Sequence, residues 1–498
     1  MDYWIVALDK KSIFYQSTNP VIHLSIFLDL FRKENKIIAK GFNLKVNLIT
    51  LGCPKNLVDS EFMQGGLHKY GVEFVSDSAG ADVLIINTCG FMESAKEESI
   101  DTILQAVELK KRGGCRQVFV TGCLSERYGK ELAKEIRGVD GFFGNRDMQK
   151  VVAGLARKMR LKYELVGESR PSKTGARALL TPRHYAYLKI SEGCEHPCTF
   201  CAIPAIRGQF RSQPIPVLMR EAQALAGQGV RELILIAQDT TIYHHDLDGA
   251  KRLPELLRQL CAVNGIEWIR LMYAYPYHVT DELIDVIAGE EKICKYVDMP
   301  IQHISSRMLK RMARRVDRRF TEELIDRMRQ RIPNLVLRTS LIVGFPSETE
   351  EDFQELLEFV ESSAIERLGI FLYSQEEGTP AATFADQVPI EVMRERHDLL
   401  TQAQTAVAAA WSERQIGKKL RVLIDEYDAV PAKAIGRTEW DCPEVDQTVA
   451  LPQAVAAGNF YDVEIIGATD FELAARLPNA APHLAAVRQK KNFFPVLT

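Results

Sequence analysis

Three cysteines stand close together in one short segment, and their spacing suits the binding of a metal cluster. Cys194, Cys198 and Cys201 follow one another at offsets of four and three, just after the apolar run 185–190. Three thiolates suit an iron–sulfur cluster, which four normally hold, so one iron is left open to another molecule. Zinc is one alternative, but zinc sites usually pair two such motifs or add histidines at a set distance; His196 lies inside the segment, and no second pair follows. Three unrelated thiols are the other alternative.

Three more cysteines share one position relative to predicted strands. Cys53, Cys89 and Cys123 each stand just past the carboxyl end of an apolar run. Ligands bind at this edge of open parallel sheets, so the three thiols are expected to converge although 36 and 34 residues separate them. The alternative is three buried, apolar core cysteines. We call these three residues the first trio and the cysteines of the short segment the second trio; Cys115 precedes a strand and belongs to neither.

The first trio lies in a region where strands and helices alternate. The predicted strands are 46–51, 72–75, 81–87 and 117–120, and the predicted helices are about 59–70, 93–111 and 125–137. Apolar strands that alternate with helices indicate a parallel sheet covered on both faces. The expected first unit is therefore an α/β domain with the first trio at one edge of its sheet.

The second trio follows the first strand of another alternating region. The predicted strands are 185–190, 231–237, 268–274, 296–300, 336–343 and 368–373, with helices at 217–227, 253–263, 281–288, 321–331 and 350–361. Six β/α units predict a partial, open (β/α)6 barrel whose active site faces the carboxyl ends of the strands. The segment of the second trio lies at that end.

Several polar residues also follow these strands. They are Gln238, Asp239, Thr241, Tyr273, Tyr275, Gln302 and His303, with Ser340 on the fifth strand and Gly344-Phe345-Pro346 after it. They either line a cofactor and substrate pocket or lie on the loop surface. His303 is either an acid–base group or a structural histidine.

The pattern of the last region predicts a small β-barrel with a net negative charge. After a helical segment at 391–415, short strands are predicted at 420–424, 432–437, 448–451 and 461–468, which is typical of a small antiparallel barrel. Residues 413–476 include twelve acidic and seven basic residues, a net charge of −5. Such a surface repels phosphate and suits a basic protein partner. The arginine-rich stretch 307–331 is interpreted as a solvated helix face rather than an RNA contact.

Length and composition indicate the number of domains and the class of protein. The chain has 498 residues, which suits about three domains, and its net charge of −3 gives no reason to expect strong attraction to nucleic acid or to a membrane. Ten cysteines in so long a chain favour ligation in a reducing compartment over a disulfide scaffold. No apolar run is long enough to cross a bilayer, so a cytoplasmic protein is expected.

The domain boundaries follow from these patterns. We predict an extension without assigned function at 1–44, the first α/β domain at 45–160, a linker at 161–184, the partial barrel at 185–411, the small barrel at 412–480 and a tail at 481–498.

At this point the motifs resemble a known family, the methylthiotransferases of the radical S-adenosylmethionine enzymes. The resemblance covers roughly residues 45–477 and implies an amino-terminal cluster domain, a radical barrel and a terminal barrel called TRAM. Within the family the chain is most similar to the branch that modifies ribosomal protein S12, since the tRNA-modifying branch typically has Gln-Met where Pro54 and Lys55 stand. The motifs that carry the resemblance are Leu51-Gly52-Cys53-Pro54-Lys55-Asn56-Leu57-Val58-Asp59-Ser60-Glu61, Ile190-Ser191-Glu192-Gly193-Cys194, Cys201-Ala202-Ile203-Pro204, Gln238-Asp239-Thr240-Thr241 and Cys442-Pro443-Glu444-Val445-Asp446.

The resemblance implies cofactors and their ligands. The first trio, Cys53, Cys89 and Cys123, would hold one [4Fe–4S] cluster. The second trio, Cys194, Cys198 and Cys201, would hold another, whose open iron chelates S-adenosylmethionine. Phe200 would pack beside the second cluster and the cofactor, and Gln238, Ser340 and Gly344 are candidates for contact with S-adenosylmethionine.

The resemblance also implies a reaction. A 5′-deoxyadenosyl radical would remove hydrogen from the β-carbon of an aspartate in S12, sulfur would arrive through the first cluster, and a second S-adenosylmethionine would supply the methyl group. An electron donor and a sulfur source are implied as partners, and the acidic last domain would meet the basic S12. Two alternatives stay open: a tRNA methylthiotransferase that acts on a modified adenosine, with direct RNA binding, and an iron–sulfur scaffold without chemistry.

The chain departs from the family pattern at three places. Gln213 stands where a second arginine is usual, His244-His245 replaces the glycine expected after Tyr243, and residues 1–44 have no counterpart. The first two departures put local pocket contacts in doubt, and they leave the chemistry unaffected.

Overall fold

The computed structural model describes residues 44–161, 177–429 and 432–478. The predicted tail at 481–498, nearly all of the predicted extension at 1–44 and most of the predicted linker at 161–184 lie outside the described residues. Two described residues of the linker region, Arg177 and His184, are buried, so that part of the chain packs against its neighbours.

The first unit is a five-stranded parallel sheet with helices on both faces. Its strand order is β2-β1-β3-β4-β5. The strands are β1 (Lys45–Thr50), β2 (Glu73–Phe74), β3 (Val83–Thr88), β4 (Gln117–Gly122) and β5 (Gly141–Phe142). The helices are Pro54–His68, Glu93–Lys111, Cys123–Glu135 and Met148–Lys158. Alternate residues of β3 supply two separate cores, with Val83 and Ile85 on one face and Leu84 and Ile86 on the other.

The structure moves some helix boundaries and adds elements to the first unit. The first helix begins at Pro54 and the third at Cys123, where we had predicted about 59 and 125. Proline is favoured in the first turn of a helix because its fixed φ suits that turn and its missing N–H leaves no donor unpaired. The two-residue strand β5 and the helix Met148–Lys158 were not predicted; Asp147 caps that helix by accepting a hydrogen bond from the Lys150 N–H (3.2 Å).

The second unit is an open, all-parallel sheet of six strands. Its order is β13-β12-β11-β10-β9-β6, so neighbours in the chain are neighbours in the sheet, as a partial (β/α)6 barrel requires. The strands of this unit are β6 (Tyr185–Lys189), β7 (Ser191–Glu192), β8 (Arg211–Ser212), β9 (Glu232–Ile236), β10 (Trp268–Leu271), β11 (Ile293–Asp298), β12 (Val336–Val343) and β13 (Arg367–Leu372), of which β7 and β8 form a separate ribbon. The helices of eight or more residues are Ile215–Gly227, Leu253–Cys261, Asp281–Gly289, Arg318–Arg331, Glu350–Ser363 and Ile390–Glu413.

The third unit is a closed five-stranded barrel. Its strands are β14 (Lys419–Ala429), β15 (Ala432–Arg437), β16 (Thr448–Leu451), β17 (Phe460–Ala468) and β18 (Glu472–Arg476). The sequence patterns named the first four of these and missed β18. The barrel is also not wholly antiparallel, because β16 and β18 pair in parallel. Closure leaves the barrel without open strand edges.

A loop of the small barrel enters the larger one from the amino-terminal ends of its strands. Trp440 and Cys442 pack in one core with side chains of the barrel interior such as Tyr187. Asp441 is fully buried and pairs with Arg367 at the start of β13 (2.7 Å). This loop therefore closes one opening of the barrel and leaves the carboxyl ends of the strands as the accessible end.

Among the described residues, no helix combines the length and apolar character needed to cross a membrane.

Candidate functional site

The first trio lies at the carboxyl edge of the first sheet, as its register predicts. Cys89 directly follows β3, Cys123 directly follows β4, and Cys53 caps the helix after β1. Burial raises the pKa of Cys89 far above its usual value, and the neighbouring thiols of Cys123 and Cys53 raise it further. Burial also raises the pKa of Cys123, to about 11. The three sulfur groups are therefore close enough to repel one another as thiolates, which is the arrangement that a shared metal cluster would relieve.

Glycines let the three loops approach this closely. Gly52 has a φ of +85°, and a Cβ there would stand 2.7 Å from the Cβ of Cys89. Gly122 has a φ of +101°, and a Cβ there would stand 2.4 Å from the carbonyl oxygen of Thr88. A side chain at either position would be strained and would push apart the loops that carry the cysteines.

Two asparagines organise the surroundings of the first trio. The Asn56 amide donates to the carbonyl oxygens of Leu51 (2.9 Å) and Thr88 (3.0 Å), which ties the ends of β1 and β3 together. Its Oδ1 lies 3.6 Å from the Cys123 sulfur. The Asn145 amide donates to the same sulfur (3.3 Å). The Asn145 donor stabilises a thiolate, as suits a cluster ligand, whereas the Asn56 oxygen accepts a hydrogen bond from the Cys123 thiol.

The second trio forms a compact loop between β7 and the five-residue helix Ile203–Arg207. The Cys194 N–H donates to the Gly208 carbonyl (3.1 Å), and the Cys201 N–H donates to the Cys198 carbonyl (3.1 Å). Burial raises the pKa of Cys194 to about 12, with a further contribution from Cys198. Burial raises the pKa of Cys201 as well, and the Cys198 and Cys194 thiols act in the same direction. The donor set of three close thiols, of which Cys194 is buried and Cys198 and Cys201 are half-buried, fits a cluster here too.

A stack of three side chains holds this loop. His196 Nε2 lies 2.6 Å from Asp239 Oδ2, and the His196 ring stacks on Tyr275 with 4.0 Å between centroids. The guanidinium of Arg314 lies 4.0 Å from the centroid of the same Tyr275 ring, and its Nη1 lies 3.7 Å from the Cys198 sulfur. Asp239 and Tyr275, which we had considered as pocket residues, therefore orient the cysteine loop. Sequence reasoning missed Arg314, because it lies in the stretch that we interpreted as solvated.

The residues proposed for cofactor contact lie around the second trio, at the accessible end of the barrel. Phe200 is buried in a cluster with Met308 and Phe345. Gly344 has a φ of +75° and its N–H donates to Glu348 Oε2 (2.6 Å).

Two of these residues have buried side-chain oxygens that lack a hydrogen-bond partner. Gln238 donates to Glu192 Oε1 (2.9 Å), while its own Oε1 has no partner among the described residues. The Ser340 hydroxyl is buried and likewise has no partner within the described part of the chain. Buried polar atoms are normally satisfied, so unpaired oxygens beside the second trio fit a site for a polar cofactor.

His303 has a structural role in this arrangement. It is fully buried, and its Nδ1 accepts hydrogen bonds from the N–H groups of Ile304 (2.9 Å) and Ser305 (3.0 Å). Burial lowers the pKa of His303 to about 3. The contacts of Nδ1 agree with the structural interpretation made from the sequence, whereas the buried Nε2 has no partner among the described residues.

One cleft is lined by neighbours of both trios. Phe91 and Met92, just after Cys89, face Phe200, which lies between Cys198 and Cys201. The other lining residues of the cleft are Gln302, Ile342, Phe371, Leu372, Tyr373, Ser374 and Glu376. The first domain and the barrel thus enclose a mainly apolar space between the two groups of thiols.

An ion-pair clamp joins the two domains at the rim of this cleft. Glu376 is buried and pairs with Arg127 (2.8 Å) and with Lys96 (3.3 Å), both from the first domain. Arg127 also donates to the carbonyl oxygens of Gly90 (2.8 Å) and Glu377 (3.0 Å). The clamp thus links Gly90, which follows Cys89, to the loop after β13. No local sequence pattern indicated it, because its partners are about 250 residues apart.

The structure explains one departure from the family pattern. His244 has a φ of +77°, a backbone conformation that favours glycine. This conformation explains why glycine is expected at this position. The His244 N–H donates to Ser212 Oγ (2.8 Å) and its Nδ1 lies 3.1 Å from Asp248. At the other departure, the Gln213 carbonyl accepts from the Tyr243 hydroxyl (2.6 Å), a contact that does not depend on the side chain.

Comparison with known proteins agrees with this architecture. The chain matches the model of the uncharacterized protein family UPF0004 over residues 45–144, that of the radical SAM superfamily over 188–360 and that of the TRAM domain over 416–477. Among solved structures, the radical S-adenosylmethionine methyltransferase TsrM of Kitasatospora setae, with tryptophan and a SAM analogue bound, has a TM-score of 0.51 at 14% identity. That alignment covers 73% of this chain and 89% of TsrM, and it shows a shared fold.

Curated relatives are similar over nearly their whole length. The ribosomal protein uS12 methylthiotransferase RimO of Desulfitobacterium hafniense (strain Y51) is 45% identical over 439 residues, which is 86% of this chain and 98% of the relative. The protein of the same name from Anaeromyxobacter sp. (strain K) is 47% identical over 447 residues, which is 89% and 95% of the two chains. The chain therefore belongs to the RimO family of ribosomal protein uS12 methylthiotransferases.

Proposed function

We propose that this protein methylthiolates the β-carbon of an aspartate in ribosomal protein S12. The reaction consists of radical hydrogen abstraction, sulfur insertion and methyl transfer from S-adenosylmethionine. The observation that carries the proposal is the cleft that neighbours of both cysteine trios line. Because hydrogen abstraction and sulfur insertion must occur at one carbon, both cofactor sites have to reach the same space.

The cofactor assignments are part of the proposal. The radical SAM match supports an iron–sulfur cluster and S-adenosylmethionine as cofactors. We assign one [4Fe–4S] cluster to Cys53, Cys89 and Cys123, and a second to Cys194, Cys198 and Cys201. Bound there, these cofactors supply radical generation, sulfur donation and methyl donation. An electron donor and a sulfur source complete the set of partners.

The chain's own residues bind, orient and exclude water. Phe91, Met92 and Phe200 give the cleft apolar walls, which keep water away from a radical. The free oxygens of Gln238 and Ser340 are suited to polar groups of S-adenosylmethionine, while Phe200 and Gly344 shape the same site. The clamp through Glu376 joins the two domains to which the cofactor sites are assigned.

Iron content tests the cofactor part. After anaerobic reconstitution, the full chain is expected to hold about eight irons and about eight acid-labile sulfides, four of each per cluster. A Cys194→Ala/Cys198→Ala/Cys201→Ala variant is expected to hold about four irons. About four irons in the wild type and none in the variant would leave Cys53, Cys89 and Cys123 as structural cysteines.

The product identifies the substrate. The reconstituted enzyme is incubated with reductant, a sulfide source and S-adenosylmethionine, together with either S12 or tRNA. A mass gain of one methylthio group on an aspartate-containing peptide of S12 is expected, together with 5′-deoxyadenosine. A gain only on a tRNA nucleoside would favour the tRNA alternative, and a lack of 5′-deoxyadenosine would favour the scaffold.

A further inference from the structure

Arg207 connects the two trios through one short helix. The helix Ile203–Arg207 begins two residues after Cys201, and its five residues span about 7.5 Å. Ala202 and Ile206 pack against Cys123 of the first trio. Arg207, at the far end of the helix, has only 1% of its surface exposed, although it carries a full charge. The segment that follows the second trio therefore packs against the first trio.

The guanidinium of Arg207 lies in a network of charged and polar groups beside Cys123. Its Nη1 donates to Asp59 Oδ2 (2.7 Å) and lies 3.3 Å from Glu192 Oε2. Its Nη2 donates to Asn56 Oδ1, the same oxygen that lies 3.6 Å from the Cys123 sulfur. A guanidinium from the barrel and a thiol from the first domain therefore converge on one amide oxygen.

Charge balance explains why a cation is held there. Lys189 pairs with the same two carboxylates, Asp59 and Glu192, so the network is neutral with Arg207 and would carry one net negative charge beside the first trio without it. Thiolates at the first trio then add negative charge to a buried region, where an uncompensated charge is costly.

We propose that Arg207 is a positioning residue of the first cluster, which it stabilises as a cation delivered by the barrel. This inference rests on the proposed function, because it requires that Cys53, Cys89 and Cys123 hold a cluster. A nearby cation stabilises the more negative, reduced state of a cluster and so raises its reduction potential. The first site is then complete only while the barrel is docked on the first domain.

Arg177 offers a matched control. It is also a buried arginine between the two units, where its Nε donates to Glu61 Oε2 (2.6 Å) and its Nη1 to Glu221 Oε1 (2.8 Å). Glu61 lies on the same helix as Asn56 and Asp59. Within the described part of the chain, the ion pairs of Arg177 are with Glu61 and Glu221, so its loss perturbs domain docking without removing a cation from the first trio.

The test uses the full chain with Cys194→Ala/Cys198→Ala/Cys201→Ala, so that any remaining cluster is the first. Iron content and the midpoint potential, followed by EPR during a redox titration, are measured for this background and for added Arg207→Met, Arg207→Lys or Arg177→Met. We expect Arg207→Met to lower the one-electron reduction constant about tenfold, which is a shift of about 59 mV to more negative potential. Arg207→Lys should shift the potential less, and Arg177→Met should leave it unchanged.

Each other outcome has a defined meaning. A background without iron would contradict the proposed first cluster itself. Iron in the background, with equal potentials in all variants, would overturn the role of Arg207. If Arg207→Met loses its iron, retention of iron by Arg207→Lys supports the proposal, whereas equal loss in both Arg207 variants overturns it.

Discussion

At the scale of single residues, polar side chains at the strand ends mainly orient the cysteine loops. His196, Tyr275 and Arg314 form a stack that ends 3.7 Å from the Cys198 sulfur, and Asp239 fixes the His196 ring. Oriented neighbours of this kind set the direction and the basicity of a metal ligand. Asp239 and Tyr275, which look like pocket linings in the sequence, therefore act through the loop that is proposed to bind the second cluster.

His303 predicts a dependence of stability on pH. Its pKa in the folded protein is lowered to about 3 from 6.5. Below pH 6.5 the unfolded chain therefore binds a proton that the folded chain does not, and stability falls as the pH decreases. Between pH 7 and pH 5 this histidine should cost about 2 kcal/mol of the free energy of unfolding.

A His303→Asn variant isolates this contribution, because an amide oxygen can replace Nδ1 as the acceptor for Ile304 and Ser305. Chemical denaturation at pH 7 and at pH 5 should show a smaller loss of stability for the variant than for the wild type. An equal loss in both proteins would mean that His303 binds its proton in the folded state, and an acid–base role would be open again.

At the scale of secondary-structure elements, the strand-and-cysteine register was visible in the sequence. Cys89 and Cys123 directly follow β3 and β4, and alternation of strands with helices was enough to bring them to one edge. Arg207, Arg314 and Glu376 could not be predicted in the same way. Arg207 and Glu376 have partners in the first domain, and no local periodicity encodes how two domains dock. Arg314 contacts Tyr275 and Cys198 of its own barrel, and these contacts are distant in the sequence.

Short elements were also beyond the sequence patterns. The ribbon of β7 and β8 has two residues in each strand, and β5 has two residues. A strand of two residues is too short to show the alternation of apolar and polar residues that marks a strand in a sequence. Such strands form because neighbouring strands supply hydrogen-bond partners. The ribbon still matters for the site, because it fastens both ends of the segment that carries the second trio.

The turn at His244 predicts a stabilising substitution. Left-handed backbone costs a non-glycine residue about 1 kcal/mol, and the pair between the half-buried His244 and Asp248 offsets only part of this cost. His244→Gly should therefore stabilise the local structure by about 0.5–1 kcal/mol. Hydrogen exchange of the segment 243–249 should slow about two- to fivefold.

His245→Gly is the matched control for the turn. His245 begins the short helix His245–Asp248 and is not among the residues with positive φ, so glycine there should speed the exchange of the same segment. Faster exchange in His244→Gly than in the wild type would show that the contacts of the imidazole outweigh the backbone cost.

At the scale of the whole molecule, the acidic residues of the small barrel divide into buried and exposed ones. Asp441 pairs with Arg367, and Asp446 accepts from the Tyr296 hydroxyl (2.7 Å), so these carboxylates fasten the small barrel inside the larger one. They are buried and cannot meet another protein. The acidic surface proposed for S12 is thus reduced to exposed residues such as Glu426, Asp428 and Asp462.

This reduced surface gives a prediction about association with S12. Replacing Glu426, Asp428 and Asp462 by lysine should lower the association rate constant and weaken its dependence on salt, because complementary charge acts mainly on encounter. The binding kinetics are measured by surface-immobilised S12 at several ionic strengths. The dissociation rate constant should change less than the association rate constant.

The control carries the same change in net charge on a different face. Asp101, Glu131 and Glu135 are exposed residues of the first domain, and lysine at these positions alters the total charge equally. At 0.15 M salt the Debye length is about 8 Å, so charges on a remote face are screened and the control should associate nearly as fast as the wild type. An equal slowing of both variants would mean that S12 responds to net charge alone. An unchanged rate in both would remove the small barrel from recognition, and the substrate would then have to be bound by the rim of the cleft itself.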